Sequence, residues 1–122
     1  MIFAFVEGGT LEVYGTAADA IRQYEGIDVE SRVVHFYDET GTYLEPTFTT
    51  PNQTGKIFGL FRWVVSGKYE LVANPSADED SFALALYETR LLEPNEWFAS
   101  LEHLKSALSA RGVAVEFQPP ET

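Results

Sequence analysis

The segment from Ile2 to Val6 is apolar at five consecutive positions, and it restricts the folds open to the chain more than any other segment. Alternate side chains of a strand point to opposite sides of a sheet, so a strand without polar positions is typical of a sheet covered on both sides. Gly8 and Gly9 can supply the positive φ angles of a tight hairpin. Residues 11–14 are therefore predicted to return as a second strand.

Two capping patterns predict helices. Thr16, with Asp19 three residues later, precedes an apolar face that ends near Gly26, where glycine favours a helix stop. Ser76 with Glu79 repeats the pattern and predicts a second helix over residues 77–91. The apolar side chains within residues 82–87 also alternate as in a strand, so both structures stay open for that segment.

A third helix is predicted after Asn95, which can cap it. Its apolar residues are spaced by four, three and four positions and form one stripe, which consists of Trp97, Leu101, Leu104 and Leu108. Gly112 follows the stripe and favours a helix end, and residues 113–117 alternate as a last strand.

The remaining chain reads as extended structure. Residues 27–49 are predicted to contain strands at 33–37 and 43–49, on either side of a polar turn that ends at Gly41. Pro46 cannot donate a ladder hydrogen bond, so its strand is expected at a sheet edge or with a bulge. Residues 57–65 and 68–73 are predicted to pair as an antiparallel hairpin around Ser66 and Gly67.

These segments together predict the α+β class. We expect a mostly antiparallel sheet of about six to seven strands with three helices packed on one face. The chain has 122 residues and no repeat, low-complexity tract or linker-like stretch, which predicts a single domain over residues 1–122.

Composition excludes several classes of function. The chain contains no cysteine, which excludes disulfides, thiolate nucleophiles and cysteine-bound metal clusters. Nucleophile-elbow and phosphate-loop motifs are absent as well, so we expect no cofactor, no metal and no assigned catalytic residue. The N-terminal segment lacks the basic start of a signal peptide, and no apolar stretch approaches the roughly 20 residues that span a bilayer. A cytoplasmic protein is expected.

The charge predicts the kind of partner. The formal net charge is −11, from 19 acidic and 8 basic residues, and residues 51–75 alone are positive, with three bases and one acid. Such a surface repels phosphate backbones and anionic lipids, so we expect neither nucleic-acid nor membrane binding. It attracts a basic protein.

Several short segments resemble a group of small, uncharacterised, acidic bacterial proteins. The segments are residues 11–15, 26–30, 35–38, 44–46, 51–52 and 66–69. Some members of this group resemble the immunity partners of secreted polymorphic toxins. The resemblance covers about the first 73 residues and carries no functional residue over to this chain.

The leading hypothesis is an immunity-type inhibitor that occludes a basic partner, such as a toxin, with an acidic surface. Carboxylates would pair with arginine or lysine of the partner and speed association, while an aromatic anchor would slow release. Two of the acids, Asp28 and Glu30, are expected on one face of an extended segment. The expected partner-binding residues are Asp28, Glu30, Asp38, Glu39, Tyr43, Glu45 and Trp63.

Two other hypotheses stay open. One is a small enzyme or ligand-binding domain with a pocket near His35, assisted by Asp38 or Glu45; the second histidine, His103, is expected to face water. The other is a homodimeric regulatory or interaction subunit joined along the strand that contains Pro46.

Overall fold

The computed structural model describes residues 1–57, 61–75, 80–113 and 115–117, and it confirms the α+β class. The strands are β1 (Ile2–Val6), β2 (Thr10–Tyr14), β3 (Val34–Asp38), β4 (Tyr43–Thr50), β5 (Gln53–Ile57), β6 (Phe61–Val65), β7 (Lys68–Asn74) and β8 (Leu91–Leu92). The helices are α1 (Ala17–Gln23), α2 (Gly26–Glu30), α3 (Asp80–Glu88) and α4 (Leu101–Ala110). The described residues therefore contain four helices, one more than expected.

Six strands form the main sheet, in the order β7-β4-β3-β1-β2-β8. Neighbouring strands are antiparallel except for the short parallel pair of β2 with β8. Strand β1 is central, and each residue from Ile2 to Val6 pairs with β2 on one side and β3 on the other. Gly8 and Gly9 have φ angles of 95° and 92°, as the predicted hairpin requires.

Helices cover both sides of the sheet, so the expectation that they pack on one face is wrong. One core contains Phe3 and Phe5 of β1 together with α3 and α4. The other core contains Ile2 and Ala4 together with α1 and α2. The reason lies in β1 itself, because both sets of its alternating side chains are apolar and each requires a covering layer.

The segment after α1 is partly helical, which corrects the extended structure predicted for residues 27–49. Gly26 begins α2 and does not end α1, which ends at Gln23. Gly26 is buried, and a Cβ at this position would lie 2.4 Å from Oδ1 of Asn52. Glycine is therefore needed here for close packing. The five residues of α2 are too few for their apolar spacing to distinguish helix from strand.

Strand β6 pairs with β5 and not with β7, so the predicted pairing of residues 57–65 with 68–73 is wrong. We call the separate β5–β6 hairpin the arm; it is inserted between β4 and β7, which pair with each other. A Cβ on Gly67 would lie 1.9 Å from the carbonyl oxygen of Thr50. The chain at Gly67 therefore passes beside the end of β4 and does not turn back onto β6.

Strand β4, which contains Pro46, lies inside the sheet and not at its edge. Strand β3 pairs with β4 only at Leu44 and Tyr43, so β3 does not accompany the second half of β4. Pro46 lies in that half, and the β4–β7 register shifts between Phe48 and Thr50, which supplies the expected bulge. The outer strands are β7 and β8. Around Pro46, β4 therefore pairs with β7 on one side only.

Residues 82–87 are helical, which decides the alternative left open by the sequence. Helix α3 ends at Glu88, and Leu91–Leu92 forms β8, so the predicted helix over residues 77–91 extends too far. Residues 76–79, the predicted cap, lie outside the described residues.

The last helix begins later than predicted. Its cap is Ser100, whose hydroxyl accepts a hydrogen bond from the N–H of His103. Oδ1 of Asn95 instead accepts from the N–H groups of Trp97 and Phe98 in a preceding turn. Gly112 follows α4 with a φ of 84°, as predicted, whereas residues 113 and 115–117 form no strand.

Candidate functional site

His35 of β3 is exposed, although both of its neighbours in the strand are buried. Val34 and Phe36 point towards α1 and α2, so His35 shares the opposite side of the sheet with Tyr37. Phe82 of α3 packs on Tyr37, with their ring centroids 5.3 Å apart. This contact covers Tyr37, and His35, two residues away along β3, is left open to solvent.

Two open depressions meet at His35, and Arg32 lines both of them. The first has a volume of about 420 Å³ and lies between the β1–β2 turn and α3, with Glu7, Leu84 and Glu88 among its walls. We call the exposed surface around the two depressions the His35 face.

The second depression has a volume of about 450 Å³ and lies between α2 and β4. It exists because β3 accompanies β4 only as far as Leu44, while β4 continues along β7 to Thr50. Glu30 of α2, with Tyr43 and Glu45 of β4, lines this notch. The tertiary structure therefore brings together three residues of the expected partner-binding set.

The charge of the His35 face is negative. Exposed carboxylates lie at its rim, and they belong to Glu7, Glu30, Glu45 and Glu88. Arg32 is the charged base among the residues that line the two depressions, so four carboxylates against one guanidinium give a net charge of −3 with His35 neutral. The arrangement is suited to receive cationic groups.

Tyr43 is a protonated donor on this face. Burial raises the pKa of its phenol, the carboxylate of Glu45 raises it further, and the guanidinium of Arg32 opposes the rise. The phenol therefore keeps its proton at neutral pH. Arg32 and Tyr43 line the same depression.

Arg32 has an uncommon backbone conformation, with a φ of 60°. It directly follows Ser31, the C-cap of α2, and its N–H donates to the carbonyl of Val29. The next N–H, of Val33, donates to the carbonyl of Asp28. These two bonds form the helix-ending motif in which the left-handed residue is usually glycine.

Asp28 does not accompany Glu30 on the candidate surface. Because α2 is a helix, residues two positions apart point in different directions, which corrects the shared face expected for this pair. Asp28 is near Tyr69 instead: burial raises the pKa of that phenol to about 12, with Asp28 as the second cause.

Asp38 and Glu39 lie at the other end of β3 and have partners within the chain. Oδ1 of Asp38 accepts hydrogen bonds from Thr40 and Thr42, which fixes the β3–β4 turn. Glu39 lies 3.0 Å from the guanidinium of Arg111 and 3.8 Å from the amino group of Met1. These two carboxylates have structural roles in the turn and at the N-terminus.

The other predicted residues are divided between the site and the rest of the fold. Trp63 lies in β6, opposite Gly55 in the arm, and its side chain is outside the described part of the structure. Asp38 does not line either depression with His35, whereas Glu45 does. Nδ1 of His103 accepts a hydrogen bond from the N–H of Ala99 on the exposed side of α4.

Asn52 is a residue that the sequence reading missed. Its Nδ2 donates to the carbonyl of Gly26 over 2.9 Å and to Oε2 of Glu30 over 2.6 Å, and its Oδ1 accepts from the N–H of Gly67 over 2.6 Å. The side chain therefore ties the base of the arm to α2 and orients Glu30 at the second depression. Three separate parts of the chain, at residues 26–30, 51–52 and 66–69, meet at this side chain.

A second group of polar side chains lies beneath α1. Oε2 of Glu12 accepts hydrogen bonds from the phenols of Tyr14 and Tyr24, which also contact each other at 3.1 Å. Burial raises the pKa of both phenols, and the hydrogen bond to Glu12 is the second cause of the rise. The pKa of Tyr14 is raised to about 12. The alternation of Glu12 and Tyr14 along β2 was the available sequence signal.

Within the described ranges, no group of three histidine or carboxylate residues is placed to hold a metal ion. None of the described helices is long and apolar enough to cross a membrane. No family model matches the chain, no curated protein matches it, and no solved structure matches it.

Proposed function

We propose that this protein is an immunity-type inhibitor that occludes a basic protein partner with its His35 face. The observation that carries the proposal is the convergence of Glu30, Tyr43 and Glu45 on one open depression. These residues come from α2 and β4, and they combine the two features that a steered protein interface needs. Exposed carboxylates speed encounter with a cationic surface, and a half-buried aromatic residue adds contact area that slows dissociation.

The rest of the surface supports the same partner chemistry. A net charge of −11 attracts a basic protein from a distance, and it disfavours contact between two copies of this chain at the same acidic face. Leu84, at the rim of the first depression, is 57% exposed and offers an apolar contact beside the carboxylates. An inhibitor of this kind requires no chemistry of its own, because covering the active surface of the partner is sufficient.

The test is capture of binding proteins from the lysate of the source cell with wild-type protein and two matched variants. One variant carries Glu30→Gln and Glu45→Gln, and the control carries Glu25→Gln and Glu116→Gln, which are exposed acids outside the depressions. Both variants change the net charge equally. Salt near 1 M reduces the screening length to about 3 Å and should release a complex held by charge.

We expect one basic protein to be retained at low salt by wild type and control. Its purified form should bind the Glu30/Glu45 variant about tenfold more weakly, mainly through faster dissociation, because close charge pairs are lost. The control should change only the salt-dependent association rate. A captured protein that binds both variants with equal affinity would exclude the His35 face as its site.

A second candidate function is a small ligand-binding or catalytic pocket at the same depression. The observation in its favour is that His35 and Glu45 line one cavity from adjacent strands, and continuing the β3–β4 register by one residue places them opposite each other. A screen of small molecules by protein NMR tests it. A ligand whose binding is lost in both His35→Gln and Glu45→Gln would favour the pocket, whereas hits that are insensitive to both changes would reject it.

A further inference from the structure

Arg32 occupies a position where glycine fits the backbone better. It occupies the left-handed position directly after the C-cap of α2, with a φ of 60°. A side chain in this conformation brings its Cβ close to the following carbonyl, which glycine avoids. Arg32 is also the one non-glycine residue with positive φ among the described residues.

The backbone does not need the arginine side chain. The backbone hydrogen bonds that end α2 run from the N–H groups of residues 31–33 to carbonyls of residues 27–29 and involve no side-chain atom of Arg32. In the described part of the structure, the guanidinium of Arg32 forms no hydrogen bond or ion pair, in contrast to Arg22 and Arg111, which pair with Asp19 and Glu39. The side chain is exposed and lines both depressions of the His35 face.

The groups around Arg32 indicate what it binds. His35 lines both depressions with it, and the protonated phenol of Tyr43 lines the second one. A guanidinium, an imidazole and a phenol are hydrogen-bond donors suited to a carboxylate, and the fork of the guanidinium matches the two carboxylate oxygens. The carboxylates of Glu30 and Glu45 at the rim favour cationic groups on either side of it.

We infer that Arg32 is the specificity residue of the His35 face and binds a carboxylate that is flanked by basic groups on the partner. The inference rests on the proposed function, because it assigns the partner chemistry of the same surface. It also predicts a preference that net charge alone does not explain. A partner surface that has an acidic residue among its basic residues should bind more tightly than one with basic residues alone.

The test uses two short peptides as probes, acetyl-Lys-Asp-Lys-amide and its isosteric control acetyl-Lys-Asn-Lys-amide. Binding is followed by NMR of the labelled protein, including the guanidinium signal of Arg32. Wild type should bind the aspartate peptide about threefold or more tightly at low ionic strength, as expected for an exposed bidentate ion pair. The ratio of affinities should fall to about one in Arg32→Gln and in Arg32→Gly, whereas Glu45→Gln should weaken both peptides by a similar factor.

Stability separates this role from a structural one. Arg32→Gly should raise the melting temperature by roughly 3 to 5 °C, because glycine adopts the left-handed conformation without the Cβ conflict. If Arg32→Gly no longer distinguishes the two peptides and also melts at a higher temperature, Arg32 contacts the ligand and does not stabilise the fold. A lower melting temperature for Arg32→Gly, or an unchanged affinity ratio in Arg32→Gln, would overturn the inference.

The two proposals fail in different ways. Equal affinity of wild type for the two peptides, with both weakened by Glu45→Gln, would reject the role of Arg32 and leave the acidic interface standing. Absence of binding by either peptide at any concentration that NMR can follow would overturn both proposals.

Discussion

Replacing Asn52 by alanine removes three hydrogen bonds at once, and their positions permit a quantitative expectation. The amide donates to the carbonyl of Gly26 and to Glu30 and accepts from the N–H of Gly67, at 2.9, 2.6 and 2.6 Å. A hydrogen bond contributes about 0.5 to 1.5 kcal/mol net, so three amount to about 3 kcal/mol. Asn52 is half-buried and Glu30 is exposed. Water will replace part of the loss, and we expect Asn52→Ala to lower the free energy of unfolding by about 2 kcal/mol.

Urea unfolding of wild type and variants, followed by circular dichroism, measures this difference. Thr49→Ala is the matched control, because the Thr49 hydroxyl makes one exposed hydrogen bond of 3.3 Å to the carbonyl of Lys68 beside the same junction. The control should cost less than about 0.5 kcal/mol. Asn52→Asp keeps the acceptor for Gly67 but removes both donated bonds and places a carboxylate beside Glu30, so it should also destabilise. Addition of Glu30→Gln should recover part of that cost.

The reasoning would be refuted by an Asn52→Ala variant within about 0.5 kcal/mol of wild type, since three lost bonds cannot then be contributing. An Asn52→Asp variant with the same free energy of unfolding as wild type would contradict the contact with Glu30. If Asn52→Ala unfolds at lower urea, and Asn52→Asp is destabilised more in the presence of Glu30 than in the Glu30→Gln background, both the hydrogen bonds and the orientation of Glu30 are supported.

Two further predictions concern the core and the junction. Because the folded-state pKa of Tyr14 is about 12 against an ordinary value of 10.0, its contribution to stability is present below pH 10.0 and is lost as the pH rises towards 12. Urea midpoints measured over this range should fall, and Tyr14→Phe should fall less; a parallel fall in both would contradict the assignment. Gly67→Ala should cost about 2 kcal/mol or more in urea unfolding, because its Cβ would lie 1.9 Å from the carbonyl oxygen of Thr50. Gly8→Ala meets no atom within 4 Å and should cost only the roughly 1 kcal/mol of its positive φ, so equal losses in both variants would contradict the clash.

The local sequence was sufficient for several elements. The hairpin at Gly8 and Gly9, the cap of α1 at Thr16 and the end of α4 at Gly112 all depend on residues within one turn of each other. Their signals are conformational or capping preferences that act before any tertiary contact forms. The α+β class follows from the same short-range patterns.

The elements that were predicted wrongly depend on contacts far apart in the chain. Gly26 was read as a helix stop because glycine often has that role, but its neighbour in space is Asn52. Strand β6 was assigned to β7 because only two residues, Ser66 and Gly67, separate them, whereas the chain at Gly67 lies against the backbone of Thr50 and leads into pairing with β4. Neither contact leaves a trace in local spacing.

The candidate site divides in the same way. Composition alone determined the acidic character of the molecule and the absence of cysteine chemistry. It also drew attention to Glu30, Tyr43 and Glu45, but as members of a larger set whose other acids are distributed over different parts of the fold. Only the tertiary structure decided which of them meet, because a notch forms where β4 separates from β3 and continues along β7. The role of Arg32 could not be predicted from the sequence for the same physical reason. Its left-handed backbone and its position between two depressions depend on how α2 joins the sheet, and local side-chain patterns do not determine that connection.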